Sequence, residues 1–329
     1  MREMGLLFIT CLTILASVSY GQEKDAEESM PLLPIKQNGK WGFIDKTGKI
    51  AISPQFDFAL TFSEGLAKVM IGDKCGFTDR TGKIVVEVQF DDAGAFSEGL
   101  AKVRIGGKEG YIDQAGNIVI EPQFDRAWPF SEGLAQVRIE DQRGFIDKTG
   151  KMVINPQFEG ARWFSEGLAT VKINGEWGYI DKTGKMVIEP QFGRTGPFSE
   201  GLAAVKIDGE WGFIDKTGNY VIKAQFHDTY GLFSEGLASV NIDGKYGYIE
   251  KTGKTVIKPQ FDSAWGFYEG LANVKIGDKW GYIDRTGKLV IDPRFDWAGR
   301  FLEGVAGVKV GDKWGWIDKT GKYIWEISE

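Results

Sequence analysis

The sequence predicts an all-β protein, a tandem array of nine three-stranded antiparallel meanders. Three observations predict it. A glycine followed by an aromatic residue recurs at Gly42, Gly76, Gly110, Gly144, Gly178, Gly212, Gly247, Gly281 and Gly315, 34 residues apart except for 35 between Gly212 and Gly247. A fixed period in this range marks a repeat architecture. Each period holds short apolar runs separated by tight-turn residues, as strands and hairpins require. Glycine is abundant at 45 residues, and aromatics make up 13 % of the chain. At 329 residues the length alone would suit two domains, but an unbroken repeat makes one array from residue 32 to residue 329.

The chain opens with a segment that reads as a signal peptide, residues 1–21. Arg2 supplies a positive start, and Gly5 to Ala16 is an apolar run too short to span a membrane. Cys11 lies inside that run and lacks the small neighbour of a lipid-attachment site. Residues 22–31 are acidic and without periodicity, a flexible leader. Nothing after the signal is apolar enough to cross a membrane. Removal of the signal leaves Cys75 as the only cysteine, so no internal disulfide is expected.

Within one unit, Leu66-Ala67-Lys68-Val69-Met70-Ile71 is the first strand, with Ala67, Val69 and Ile71 on the buried face. Position 70, on the other face, is cationic in most copies: Arg104, Arg138, Lys172, Lys206, Lys275 and Lys309. A two-residue turn follows. It is Asn38-Gly39, Asn174-Gly175, Asp208-Gly209 or Asp243-Gly244 in four copies, the strongest short hairpin signal. Glu140-Asp141 lacks glycine and should be the most strained of these turns. The second strand carries the glycine, with Phe, Tyr or Trp always after it. The residue before it is Trp41, Trp177, Trp211, Trp280 or Trp314, but Cys75, Glu109, Arg143 or Tyr246 elsewhere. Such tolerance suggests a rim position. Asp-Lys-Thr-Gly-Lys closes the next hairpin as an Asp-first turn. The third strand has apolar residues on both faces, so both should be covered, and the prolines at 54, 122, 156, 190, 259 and 293 should end it. A connector bounded by two phenylalanines leads to the next unit.

One meander alone is marginal in water, so the units must stack. An open array needs polar caps. Here the last unit carries Trp314, Trp316, Tyr323 and Trp325, and the first opens on Leu32-Leu33-Pro34-Ile35. Two apolar ends favour a propeller-like ring, with an open β-superhelix or solenoid as the alternative.

The Lys-Trp-Gly-Tyr-Ile-Asp-Arg-Thr-Gly-Lys string at 279–288, with its copies and the Phe-Ser-Glu-Gly-Leu-Ala connector, resembles the WG repeat (KWG repeat) family of bacteria. The resemblance covers residue 32 to the C-terminus. It implies a β-rich interaction module in often exported proteins, with no defined reaction. Gly42, Gly178, Gly212, Gly281 and Gly315, with the tryptophans before them, are its structural positions.

The net charge is -6, with acids and bases interspersed, which excludes the basic face of a nucleic-acid binder. No nucleophile elbow, phosphate loop or metal-spaced His/Cys set is present, so no cofactor or metal is expected and the protein reads as non-enzymatic. His227, the only histidine, reads as a solvated loop residue, and Cys75 as a small buried hydrophobe. The repeated carboxylates, Glu64 and Asp45 with their copies, suit backbone hydrogen bonding in turns; calcium or carboxylate-based glycoside hydrolysis are the functional alternatives. What varies between units is the connector middle: Leu60, Gly94, Trp128, Arg162-Trp163, Gly196, Tyr230, Trp265 and Trp297. Repeat proteins place binding residues at such positions. Trp128, Trp163, Tyr230, Trp265 and Trp297 are therefore the candidate binding face, equally open to packing of each loop on its own unit. The expectation is an exported protein of the periplasm, cell surface or exterior that engages a protein partner, or, in the second reading, a glycan.

Overall fold

The computed structural model describes residues 31–326; the expected signal peptide and Cys11 lie outside them. The chain divides into two compact units, one up to Gln157 and one from Phe158. Among the described residues every regular element is a β-strand. The first unit carries four antiparallel sheets, called blades here, at 33–56, 58–90, 92–124 and 126–158, the last residue of which opens the second unit. The second carries five, at 160–192, 194–226, 228–261, 263–295 and 297–326.

Blade 1 has three strands, Leu33–Gln37, Lys40–Ile44 and Ile50–Phe56. Every later blade has the same three and one more, a two-residue strand in the connector such as Asp92–Ala93 or Ser263–Ala264. The strands pair in chain order, as hairpins dictate. The nine three-stranded meanders read from the sequence are present, and the connector adds a short first strand to eight of them. This fourth strand escaped the sequence reading because two residues show no periodicity.

Why the Gly-aromatic pair is needed is visible in the second hairpin. Trp41 pairs with Phe56 and Phe43 with Ile52, so the ladder shifts register at Gly42. Such a bulge turns the third strand over the glycine. A Cβ on Gly42 would lie 2.5 Å from the Ile52 carbonyl oxygen, and one on Gly281 would lie 2.4 Å from that of Ile291. No side chain fits there. What approaches the glycine closely is a backbone.

The aromatic after the glycine anchors each core. Phe77, Tyr111, Tyr179, Tyr248 and Tyr282 are buried, with ring centroids 4.8–5.0 Å from Phe96, Phe130, Phe198, Phe267 and Phe301 of the connectors. Such pairs add about 0.5–1.5 kcal/mol each beyond burial. The tyrosines do more, since the Tyr111, Tyr179, Tyr248 and Tyr282 hydroxyls donate to the carbonyls of Trp128, Gly196, Trp265 and Gly299 at 2.6–2.8 Å. The second strand thereby pins the middle of the connector that follows.

Two expectations about the third strand are corrected. Proline does not end it, since Ile50–Phe56 runs through Pro54 and the other copies run through their prolines to a buried phenylalanine. The strand lies at the blade edge, where a missing N–H costs no ladder bond. Nor are both faces covered. Ile52 and Phe56 are buried, while Ile50, Val119 and Val290 are 41–44 % exposed. The alternation is that of a strand with one wet face.

The turns follow their residues. Asn38 and Gly39 both have positive φ, as do Asp208 and Gly209, the signature of a type I′ turn. Glu140 has φ of 55° with no glycine to relieve it, so the expected strain is present. The connector ends in a second two-residue hairpin, in which Ser63 and Leu66 exchange backbone hydrogen bonds around Glu64 and Gly65, both at positive φ.

Candidate functional site

In each complete blade three residues stand side by side: the first of the two-residue strand, the cationic position of the next strand, and the residue before the glycine. In blade 8 they are Ser263, Lys275 and Trp280; in blade 9, Trp297, Lys309 and Trp314. The residue before the glycine is not at a rim, as its variability had suggested. Trp41, Cys75, Glu109, Trp211, Tyr246 and Trp280 are all buried, and Arg143, Trp177 and Trp314 are half-buried. The site accepts unlike residues because its neighbours in the row change with it.

In the second unit the rows join into a run of aromatic rings. Tyr230 lies 5.6 Å from Tyr246 and 5.9 Å from Trp265. Trp265 lies 5.9 Å from Trp280 and 6.5 Å from Trp297, which is 5.2 Å from Trp314. Cations cap the same surface: Arg162 stands over Trp177, Lys206 over Trp211 and Lys309 over Trp314, at 5.2–5.8 Å. Tyr230 is 49 % exposed, and its hydroxyl shares a 2.8 Å hydrogen bond with Ser263. The indole N–H of Trp265 is buried without a partner.

The five candidates thus do not occupy one register. Trp128, Tyr230 and Trp265 each follow a two-residue strand directly, Trp163 comes one residue later, and Trp297 belongs to such a strand. Tyr230, Trp265 and Trp297 are brought together. Trp163 is 40 % exposed and has no ring partner among the described residues. Trp128, in the first unit, lies under Arg143 at 5.9 Å. Burial, with Arg138 adding to it, holds Arg143 below the usual guanidinium range.

The first unit fills the corresponding rows with charge. Blade 3 aligns Asp92, Arg104 and Glu109. Glu109, 1 % exposed, accepts from Arg104 at 2.6 Å and from the Ala127 N–H at 2.5 Å, with Lys102 at 3.5 Å and Arg126 at 3.8 Å. Blade 4 aligns Arg126, Arg138 and Arg143. Sequence reading noted the cations at 104 and 138 but not their neighbours. The hairpin register, countable from the turn, would have supplied Arg143 and Glu109; the short strand would not have been found that way.

The repeated carboxylates have structural work. Glu64 accepts the Gly99 N–H of the next connector at 2.9 Å, and Glu269 accepts that of Gly304 at 2.9 Å. A cation in the Asp-first turn of the next blade often joins, as Lys148 does at Glu98 and Lys319 at Glu269, at 3.2 and 3.0 Å. Asp284 Oδ1 takes the Thr286 hydroxyl and the N–H groups of Thr286 and Lys288 at 2.6–3.1 Å. The Thr286 hydroxyl, chief among these and opposed by desolvation, holds Asp284 below its ordinary value. Among the described residues no three His, Cys, Asp or Glu side chains converge to hold a metal. Cys75 is a buried free thiol whose pKa burial pushes up, and His227 is exposed.

A model of the WG containing repeat matches the chain eight times, over residues 41–75, 76–108, 110–142, 144–177, 177–211, 211–246, 246–280 and 280–314. The chain belongs to the WG-repeat family. No curated protein matches this WG-repeat chain. Solved structures are similar in fold at low identity. The crystal structure of a eukaryotic initiation factor shares 10 % identity at a TM-score of 0.65, over 91 % of this chain and 96 % of that one. Apo AztD from Citrobacter koseri shares 14 % at 0.44, over 91 % and 94 %. The dihydro-heme d1 dehydrogenase NirN shares 12 % at 0.47, over 85 % and 77 %. No helix among the described residues is long and apolar enough to cross a membrane.

Proposed function

We propose that this WG-repeat protein is an exported, non-enzymatic binding module that engages a protein partner through its connector face. The observation that carries the reading is the aromatic run of Tyr246, Tyr230, Trp265, Trp297 and Trp314 at positions that vary between otherwise uniform units. Tyrosine and tryptophan with neighbouring arginine are the side chains that anchor protein interfaces. The rings meet at 36–83°, edge against face where Trp265 meets Trp280 and Trp297, so ring faces on which a sugar would stack are already taken by neighbouring rings, which favours a polypeptide over a flat sugar. The carboxylates a hydrolase would use are engaged in hooks and turns, which supports the non-enzymatic reading. Export to the periplasm, cell surface or exterior rests on residues 1–21.

A glycan is the second reading, favoured by Trp163 alone, whose exposed indole lacks a ring partner among the described residues and could stack on a sugar. The test uses residues 22–329 carrying Trp163→Ala and Tyr230→Ala together. Replacing Trp128 or Trp265 is less clean, because Trp265 also packs on the blade core. Cross-linking in the native envelope should identify a protein bound by wild type and lost from the variant, at unchanged melting temperature. Equal capture by both ends the connector-face reading. A glycan array bound by wild type and blank for Trp163→Ala moves the assignment to a lectin.

A further inference from the structure

The row of blade 4 places three like charges in register. Arg126 is the cross-strand partner of Arg138, and Arg138 of Arg143. Like charges directly opposite one another destabilise a sheet. The middle cation is compensated in comparable rows: Arg104 by Glu109 at 2.6 Å, Lys206 by the Trp211 ring and Lys309 by the Trp314 ring. Arg138 has no such direct contact; among the acids, Asp125 feels its charge. Its guanidinium makes no hydrogen bond or ion pair among the described residues, and its Nε is buried without a partner. A buried donor left unmade destabilises the fold.

The acids nearby are already engaged. Glu109 reaches Arg126 only at 3.8 Å and is held more closely by Arg104 and the Ala127 N–H. Asp125 takes Lys108 at 2.5 Å and the Glu140 N–H at 2.6 Å. Arg126 itself is exposed, so the row opens to solvent at one end. Trp128, beneath Arg143, provides an apolar wall beside it.

We infer that Arg126 and Arg138, flanked by Arg143 and Trp128, form a binding site for a doubly charged oxyanion, the phosphate or sulfate group of a ligand. Guanidinium forks match such oxygens in bidentate geometry. Two negative charges offset a row of three positives, which one carboxylate does less well. The ligand would satisfy the Arg138 donor and relieve the repulsion together, so binding and stability are linked. This site lies in the first unit and stands whether or not the aromatic run of the second binds a protein.

The test titrates the full chain with sodium phosphate, sodium sulfate and sodium acetate at constant ionic strength, by calorimetry and thermal melting. One saturable site for a dianion is expected, with acetate at least tenfold weaker and a melting temperature raised by the dianion only. Arg138→Met should bind at least tenfold more weakly and melt higher than wild type without ligand, since it removes the central like charge. Arg126→Gln, at the exposed end, should weaken binding several-fold; Lys151→Gln, on the outer turn of the same blade, should not. A preference between phosphate and sulfate names the ester and supports the site. No saturable binding, acetate binding equal to the dianions, or undiminished affinity in Arg138→Met overturns it.

Discussion

The two units solve one packing problem with different chemistry. Both repeat the same glycine bulge, the same aromatic anchor and the same turns. They differ at the residue before the glycine. The second unit uses rings there, Trp177, Trp211, Tyr246, Trp280 and Trp314; in two rows the middle cation, Lys206 or Lys309, lies over the ring face, and the connector residue Arg162 lies over Trp177. Blades 3 and 4 of the first unit use Glu109 and Arg143, so their cations meet charges instead. A tryptophan can lie against any neighbour, whereas a buried carboxylate binds its partners by count and geometry. The comparison teaches that one backbone position tolerates both because the row, not the residue, is the packing unit.

The strongest way to break that comparison is to delete one row-ending side chain from each unit. Glu109→Ala strands Arg104 and the Ala127 N–H and should cost about 3–5 kcal/mol. Trp280→Ala empties a core position and should cost a similar 3–5 kcal/mol. Hydrogen exchange locates the damage: Glu109→Ala should quicken amides of the first unit and Trp280→Ala those of the second. If each loosens both units alike, the rows are not local. Next in size, Gly110→Ala and Gly281→Ala put a methyl 2.4 Å from a backbone carbonyl in either unit. Both should lower the urea midpoint by the equivalent of about 1–3 kcal/mol. A difference between them beyond about 1 kcal/mol would deny the shared bulge.

Smaller effects sharpen the contrast. Glu140 holds positive φ where other copies use Gly, Asn or Asp. Glu140→Gly should raise stability by up to about 1 kcal/mol, read from thermal melts, whereas Asp208→Gly should change it less. The smallest effect per residue is that of acid on the exposed turns. Asp79 and Asp284 are held below their ordinary value of 3.8, chiefly by the hydroxyls of Thr81 and Thr286. A depressed folded pKa contributes stability that is present above the unfolded value and lost as pH falls through the folded one. Both units should therefore weaken below about pH 4, and Thr81→Val and Thr286→Val should each blunt that loss slightly. A melting temperature flat from pH 5 to pH 2 would contradict the turn geometry.

Much of the site was readable only in part. The connector aromatics stood out as the variable positions, yet their three registers did not, because a two-residue strand leaves no alternation to count. Position 109 looked like a rim, since glutamate is rarely buried; it is buried because Arg104, Lys102 and a backbone N–H converge on it. Proline looked like a strand end, since it lacks a donor; at a blade edge beside a bulge no donor is needed.

Sequence alone determined the all-β class, the nine meanders, the turn types and the aromatic anchors. These depend on neighbours within a few residues, where φ preference and period-two burial decide the outcome. Only the tertiary structure decided which residue of the short strand completes each row and which side chains then touch. That depends on hydrogen-bond register across three strands, and it is what set rings against rings in one unit and left Arg138 among arginines in the other.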